Sequence, residues 1–206
     1  MNIESTPAGQ TTPVDLFLVR LRNQTAQSHK AVETLAVSAA ILSPQITLES
    51  YARYLALMHD VIVDTEENIF PMLKKVVPDL SARAKRKSIE ADLGHLRFEK
   101  STFKAVFGDS EIFSESFALG ILYVIEGSSL GGRFIFNHVS ELLGVDENNV
   151  ASYFAGYGNK TGQLWKIFLR TLTAYEAQNA AGDEIIDGAD YAFKQIHKHF
   201  SLYSQV

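Results

Sequence analysis

A 13-residue stretch, YVIEGSSLGGRFI (123–135), holds glycines at 127, 131 and 132 inside a pattern that otherwise reads as helix. Each glycine costs a helix interior about 1 kcal/mol relative to alanine, so the three together cost about 3 kcal/mol. A helix retains such residues where something must come close to its backbone. Gly127 and Gly131 are four apart and share a face, and Ser128 and Gly132 do the same one residue around. The result is a smooth groove two residues wide with approachable carbonyls. Two readings fit: close helix–helix packing through small residues, or a flat, bulky ligand lying directly on the backbone. A dinucleotide-binding loop does not fit, because the spacing differs and no strand precedes it.

The rest of the chain sets the frame for that helix. Leu18, Leu21, Val32 and Leu35 recur at 3–4 spacing and predict a first helix that stops before Ser43 and Pro44. Thr47 is placed to cap a second, running through Tyr54, Leu57, Val61 and Ile69 toward Pro71. A third follows Pro78, is basic at its start (Arg83, Lys85, Arg86, Lys87) and continues past Leu93. Residues 103–110 read as a connector, 112–143 as the long glycine-bearing helix ended near Gly144, and GYGNKTG (156–162) as a turn. Two closing helices follow, over 163–178 and 184–203. Strand-type alternation and fixed-period repeats are absent. The expectation is an all-α, single multi-helical domain over 14–206, preceded by a loose, polar, proline-bearing segment at 1–13.

Composition removes several function classes. The 206 residues carry a net charge of −5, which argues against a broad nucleic-acid or anionic-membrane surface. There is no cysteine, so disulfides, thiolate metal sites and cysteine nucleophiles are excluded. The N-terminus lacks the basic start and apolar centre of a signal peptide. The longest apolar run, Phe117 to Ile125, is too short to span a bilayer. A cytoplasmic protein is expected.

If a ligand lies on the glycine groove, its other face needs a partner. Arg22, Thr25, His29 and Glu33 form one stripe on the first helix, beside the apolar seam. A histidine on such a stripe is either a satisfied structural residue or a ligand. Glu33, one turn on, is placed to accept the Nδ1 proton and leave Nε2 for a metal. Arg22 lies two turns back, about 10 Å along the axis, a separation suited to a planar cofactor with a central metal and carboxylates at its rim. Lys166 and Arg170, also four apart and flanked by Trp165 and Phe168, offer a second basic pair, or simply a solvated face.

These pieces together resemble heme oxygenases. LRNQTAQSHKAVE (21–33) is similar to the proximal helix of that family, YVIEGSSLGGRFI to its distal helix, and YFAGYGNKTGQLWKIF (153–168) to the segment entering its propionate-binding helix. The likeness is greatest to bacterial members, including those that supply biliverdin to bacteriophytochromes, and runs from about residue 15 onward. The resemblance implies an all-helical domain with heme between the first helix and the glycine helix. His29 would be the axial iron ligand and Glu33 its hydrogen-bond partner. Gly127 and Gly131, with Ser128 and Gly132 beside them, would line the distal side. Arg22, Tyr123, Lys166 and Arg170 would bind the propionates, with Phe168 alongside. It further implies that heme is both substrate and cofactor. Dioxygen and external electrons, from a ferredoxin or a reductase, would open it at a meso carbon to biliverdin, carbon monoxide and ferrous iron. Animal members carry aspartate where this chain has Ser128, which implies a different water network here.

The remaining candidates have plainer readings. His59, His95, His138, His197 and His199 lack the setting of His29, and His197 and His199 read as surface. Asp92 and His95 lack the further carboxylates of a di-iron site, and Glu66 with Glu67 reads as a solvated helix turn. Glu126 precedes Gly127 and should point away from the ligand. No nucleophile elbow is present. The alternative function is a non-catalytic helical protein of the same fold that stores or senses heme, or holds another planar ligand.

Overall fold

The computed structural model describes residues 13–100, 102–108 and 113–203, and every regular element among them is helical. The loose segment expected at 1–13 lies outside the described residues except for Pro13, which opens the first helix. In chain order the elements are α1 (Pro13–Glu33), α2 (Ala36–Ala40), α3 (Leu48–Asp64), α4 (Phe70–Leu73), α5 (Leu80–Arg83), α6 (Arg86–His95), α7 (Glu115–Leu143), α8 (Ser152–Ala155), α9 (Thr161–Asn179) and α10 (Gly182–Tyr203).

Local signals place several of these ends. Thr47 accepts from the Ser50 amide while the Ser50 hydroxyl accepts from the Thr47 amide, a reciprocal cap that starts α3. Ser114 accepts from the Phe117 amide at the head of α7, and Gly144 ends that helix in the left-handed region at φ 66°. Other boundaries differ from expectation. The first predicted helix is two, α1 and α2, with Leu35 extended between them. The second runs through a π turn at Thr65–Ile69 before α4. The third breaks at Ala84, whose ψ of 133° is extended, into α5 and α6. A short helix, α8, sits just before the turn predicted at 156–162, within which Gly158–Lys160 forms a 3-10 turn.

One apolar core runs through the molecule, with Tyr51, Leu55, Val61, Leu119, Ile121, Leu122, Phe168 and Phe200 among its buried members. α10 packs along both α7 and α1 and so ties the two helices of interest to a common support. Its crossing with α7 is very close. A Cβ at Gly120 would fall 2.0 Å from the Ile185 carbonyl, and one at Gly188 would fall 2.1 Å from that of Phe117. By length and composition α7 is apolar enough to cross a bilayer, yet half of its most apolar window is buried inside the fold.

Candidate functional site

The glycine segment occupies the second half of α7. Beyond its crossing with α10, the stripe of α7 that carries Gly120 continues through Gly127 and Gly131 to Phe134. A Cβ added to Gly131 would meet nothing within 4 Å. At Gly127 it would touch only the Trp165 ring, at 3.6 Å, an ordinary contact. Phe134 stands 66% exposed on the same side. Gly132 behaves differently. It is buried against Phe154, whose Cδ1 lies 3.4 Å from the added Cβ, so it packs helix against helix rather than lining the open groove. The open surface is therefore one residue narrower than the sequence suggests. Ser128 lies at its flank, its hydroxyl donating to the Ile125 carbonyl at 2.7 Å and meeting the buried Tyr153 hydroxyl.

Around this surface the structure gathers several of the candidates. Arg22 of α1 reaches Tyr123 of α7; burial raises the Tyr123 hydroxyl pKa and the Arg22 contact offsets part of the rise. The Tyr123 ring lies 5.5 Å from that of Trp165, which stacks on Phe168 at 5.9 Å. Phe168 itself is fully buried and also faces the Arg83 guanidinium at 5.7 Å, so it supports the Trp165 ring from the core and is not an open lining residue. Lys166 and Arg170 are exposed one turn apart on α9.

His29 stands on α1 with 56% of its side chain exposed, its ring 5.0 Å from that of Phe193 on α10. Glu33 lies one turn on, but the nitrogen nearest to it is Nε2, at 3.5 Å, and not Nδ1 as the sequence suggested. That distance is at the outer limit of a hydrogen bond and both groups are exposed, so the contact is weak and rotation of the ring would release Nε2.

The underside of α7 carries a buried network to which sequence reasoning assigned no role. Arg83 and Lys85, part of the basic start expected for the third helix, are both buried. Arg83 donates to Glu126 through Nη1 and to Asp79 at 2.8 and 2.9 Å; burial lowers its pKa, but these two carboxylates outweigh burial and hold it raised. Tyr157 donates to the second oxygen of Glu126 at 2.9 Å, and burial, then Glu126, push its pKa up. Lys85 donates to the Ser129 hydroxyl and lies 4.8 Å from the centre of the Tyr157 ring; burial lowers its pKa. Glu126 thus points away from the open groove, as expected, and anchors the glycine segment from below. The signals for this network were Asp79 four residues before Arg83 and a lone carboxylate in the apolar run VIEG.

Other plain readings also change. Glu66 is not merely solvated, since its carboxylate accepts from the Lys85 and Arg86 amides at 2.6 and 2.8 Å at the head of α6. Asp92 is buried and accepts from the Ser152 and Tyr153 amides, a structural cap on α8. His199 is buried rather than at the surface, with Nε2 3.1 Å from Asp60.

An exposed histidine on one helix, a bare stretch on another and an arginine–tyrosine contact between the two are parts that a wide planar ligand would use. Residues 15–201 match the heme oxygenase family. The chain belongs to that family. It is 29% identical over 195 residues to heme oxygenase PigA of Pseudomonas aeruginosa, spanning 92% of this chain and 94% of that one. Among solved structures it is similar to the NO- and CO-bound heme oxygenase of Neisseria meningitidis, with a TM-score of 0.73, 26% identity, and coverage of 92% and 94% of the two chains. Heme oxygenase-1 of Synechocystis, solved in complex with heme, shares the fold at a TM-score of 0.70 and 18% identity, with 90% and 91% coverage. The protein is accordingly an all-α oxidoreductase of the heme-degrading family, with heme as its substrate.

Proposed function

We propose that this heme oxygenase opens heme to biliverdin, carbon monoxide and ferrous iron, with His29 as the axial ligand and the Gly127–Gly131 surface covering the opposite face. One observation carries the reading: Gly131 has open space where a side chain would stand, on the helix that Arg22 reaches through Tyr123. Among the described residues, no neighbouring element of the fold fills that space.

Each residue then has a physical task. His29 supplies the imidazole nitrogen, and Glu33 orients the ring once it turns. Arg22 and Tyr123, joined by Lys166 and Arg170, offer donors to two rim carboxylates. Gly127 and Gly131 keep hydrocarbon out of the space where dioxygen must fit. Ser128, tied to Ile125 and Tyr153, offers a hydroxyl at the edge of that space for ordered water. The Arg83–Glu126–Tyr157 network keeps the backbone in place from beneath. When bound, heme supplies the redox chemistry and the carbon that is oxidised. Electrons come from outside, from a ferredoxin or a reductase, in a cytoplasmic setting that needs neither nucleic acid nor membrane. A biliverdin-using bacteriophytochrome is a fitting recipient of the product.

The test is turnover. Purified protein loaded with hemin and given ferredoxin plus reductase, or ascorbate, in air should lose its Soret band and gain biliverdin absorbance. A Soret band that persists unchanged would leave heme storage or sensing as the function.

A further inference from the structure

An axial ligand must be held in angle as well as distance, and His29 sits on a helix whose main support is α10. Upstream, the buried part of that contact is apolar, through Phe17 and Leu21, and an ion pair there, Arg20 to Asp183 at 2.8 Å, is solvent-exposed and holds weakly. Apolar contact is non-directional and tolerates a small roll of the helix. Thr25, the next buried residue of the seam, spends its hydroxyl on the Leu21 carbonyl of its own helix at 2.9 Å. A roll of roughly 10° would move a group about 5 Å from the helix axis by about 1 Å.

At the residue before His29 a part-buried polar bond to α10 takes over. Ser28 donates its hydroxyl to Asp190 Oδ1 on α10. The other carboxylate oxygen receives Lys194 Nζ at 2.6 Å, one turn further along α10. Burial raises the Asp190 pKa, but the bonds from Lys194 and Ser28 outweigh it and hold Asp190 below its ordinary value, so it stays an anion and a strong acceptor. Three residues on, Phe193 carries its ring to within 5.0 Å of the imidazole. One turn of α10 therefore holds the histidine turn of α1 twice, by a directional bond on one side and an aromatic face on the other.

We propose that Ser28 and Asp190, with Lys194 fixing the carboxylate, are positioning residues that set the rotation of α1 and hence the angle at which His29 meets iron. This rests on the reading of His29 as the axial ligand.

The experiment compares Ser28→Ala, Ser28→Thr, Asp190→Ala and His29→Ala by two readouts. The first is hydrogen exchange of the α1 amides without heme. The second is the iron–histidine stretching band of the ferrous heme-loaded protein in resonance Raman spectra. Expected are faster exchange over residues 28–33, a shifted and broadened band, and about ten-fold weaker hemin binding in Ser28→Ala and Asp190→Ala. Far-UV circular dichroism should be unchanged, and Ser28→Thr, which keeps the hydroxyl, should behave as wild type. Wild-type exchange together with a wild-type band in both alanine variants would overturn the positioning role while leaving His29 as the ligand. A band that survives in His29→Ala would overturn the ligand assignment, and the positioning role with it.

Discussion

The same stripe of α7 carries two kinds of glycine. At Gly120, as at Gly188 on the facing helix, the missing side chain is occupied by another backbone, with carbonyls 2.0 and 2.1 Å from where a Cβ would stand. At Gly131, three turns along, nothing lies within 4 Å. The first pair answers the packing explanation for glycine in a helix, and the second site is left without it. Small residues that close a helix crossing and small residues that clear a binding surface look alike in sequence, and they separate only when the neighbours are known.

That contrast can be broken at its closed end first. Gly120→Ala would force the α7 and α10 backbones apart and should cost more than about 3 kcal/mol, lowering the midpoint in thermal unfolding by at least about 6 °C. Glu126→Ala attacks the support beneath the open end. It leaves the buried Arg83 with Asp79 as its remaining carboxylate and the Tyr157 hydroxyl with only the Arg83 carbonyl at 3.2 Å, so denaturant unfolding should show a loss of about 3 kcal/mol. An unchanged midpoint in either variant would mean that the helix does not depend on that contact.

At the open end the sign should reverse. Gly131→Ala fills empty space in a helix and should stabilise the protein by about 1 kcal/mol in the same assay. Gly131→Leu should fold normally yet hold hemin poorly or stall its oxidation. Full stability with wild-type biliverdin yield from Gly131→Leu would move the ligand off this surface.

The anchorage of α10 should also respond to acid, whereas the bare stretch has no group to titrate. Asp60 receives Lys100 Nζ at 2.7 Å, the Lys104 amide at 3.0 Å and His199 Nε2 at 3.1 Å. Burial alone would raise its pKa, but these contacts outweigh burial and hold it below the ordinary carboxylate value. A carboxylate depressed in the folded state stabilises the protein above its unfolded pKa, near 4, and that contribution fades as pH falls through the depressed value. The acid limb of an Asp60→Asn unfolding profile should therefore be flatter than that of wild type below about pH 4.

What the sequence made legible follows from how far away each cause lies. Thr47 and Gly144 declare helix ends because a cap is formed within a few residues. The break at Ala84 has no glycine or proline to announce it, and what stabilises it is Glu66 bonding to the amides of Lys85 and Arg86, 19 and 20 residues away. The burial of Arg83 was not legible because its partner Glu126 is 43 residues distant. Still longer separations hid His199 beside Asp60 and the crossing at Gly120 and Gly188. The stripe of Arg22, His29 and Glu33 was legible because it lies on one helix. Its internal geometry was less so, since which imidazole nitrogen faces Glu33 depends on a rotation that spacing does not encode.

The central claim is that one imidazole, that of His29, holds heme against the bare half of α7. A hemin titration followed in the Soret region tests it most directly, comparing wild type with His29→Ala at matched stability. The wild-type protein should give a histidine-ligated Soret band that is lost or strongly altered in His29→Ala and restored by added imidazole. An identical band in the two proteins would contradict the claim.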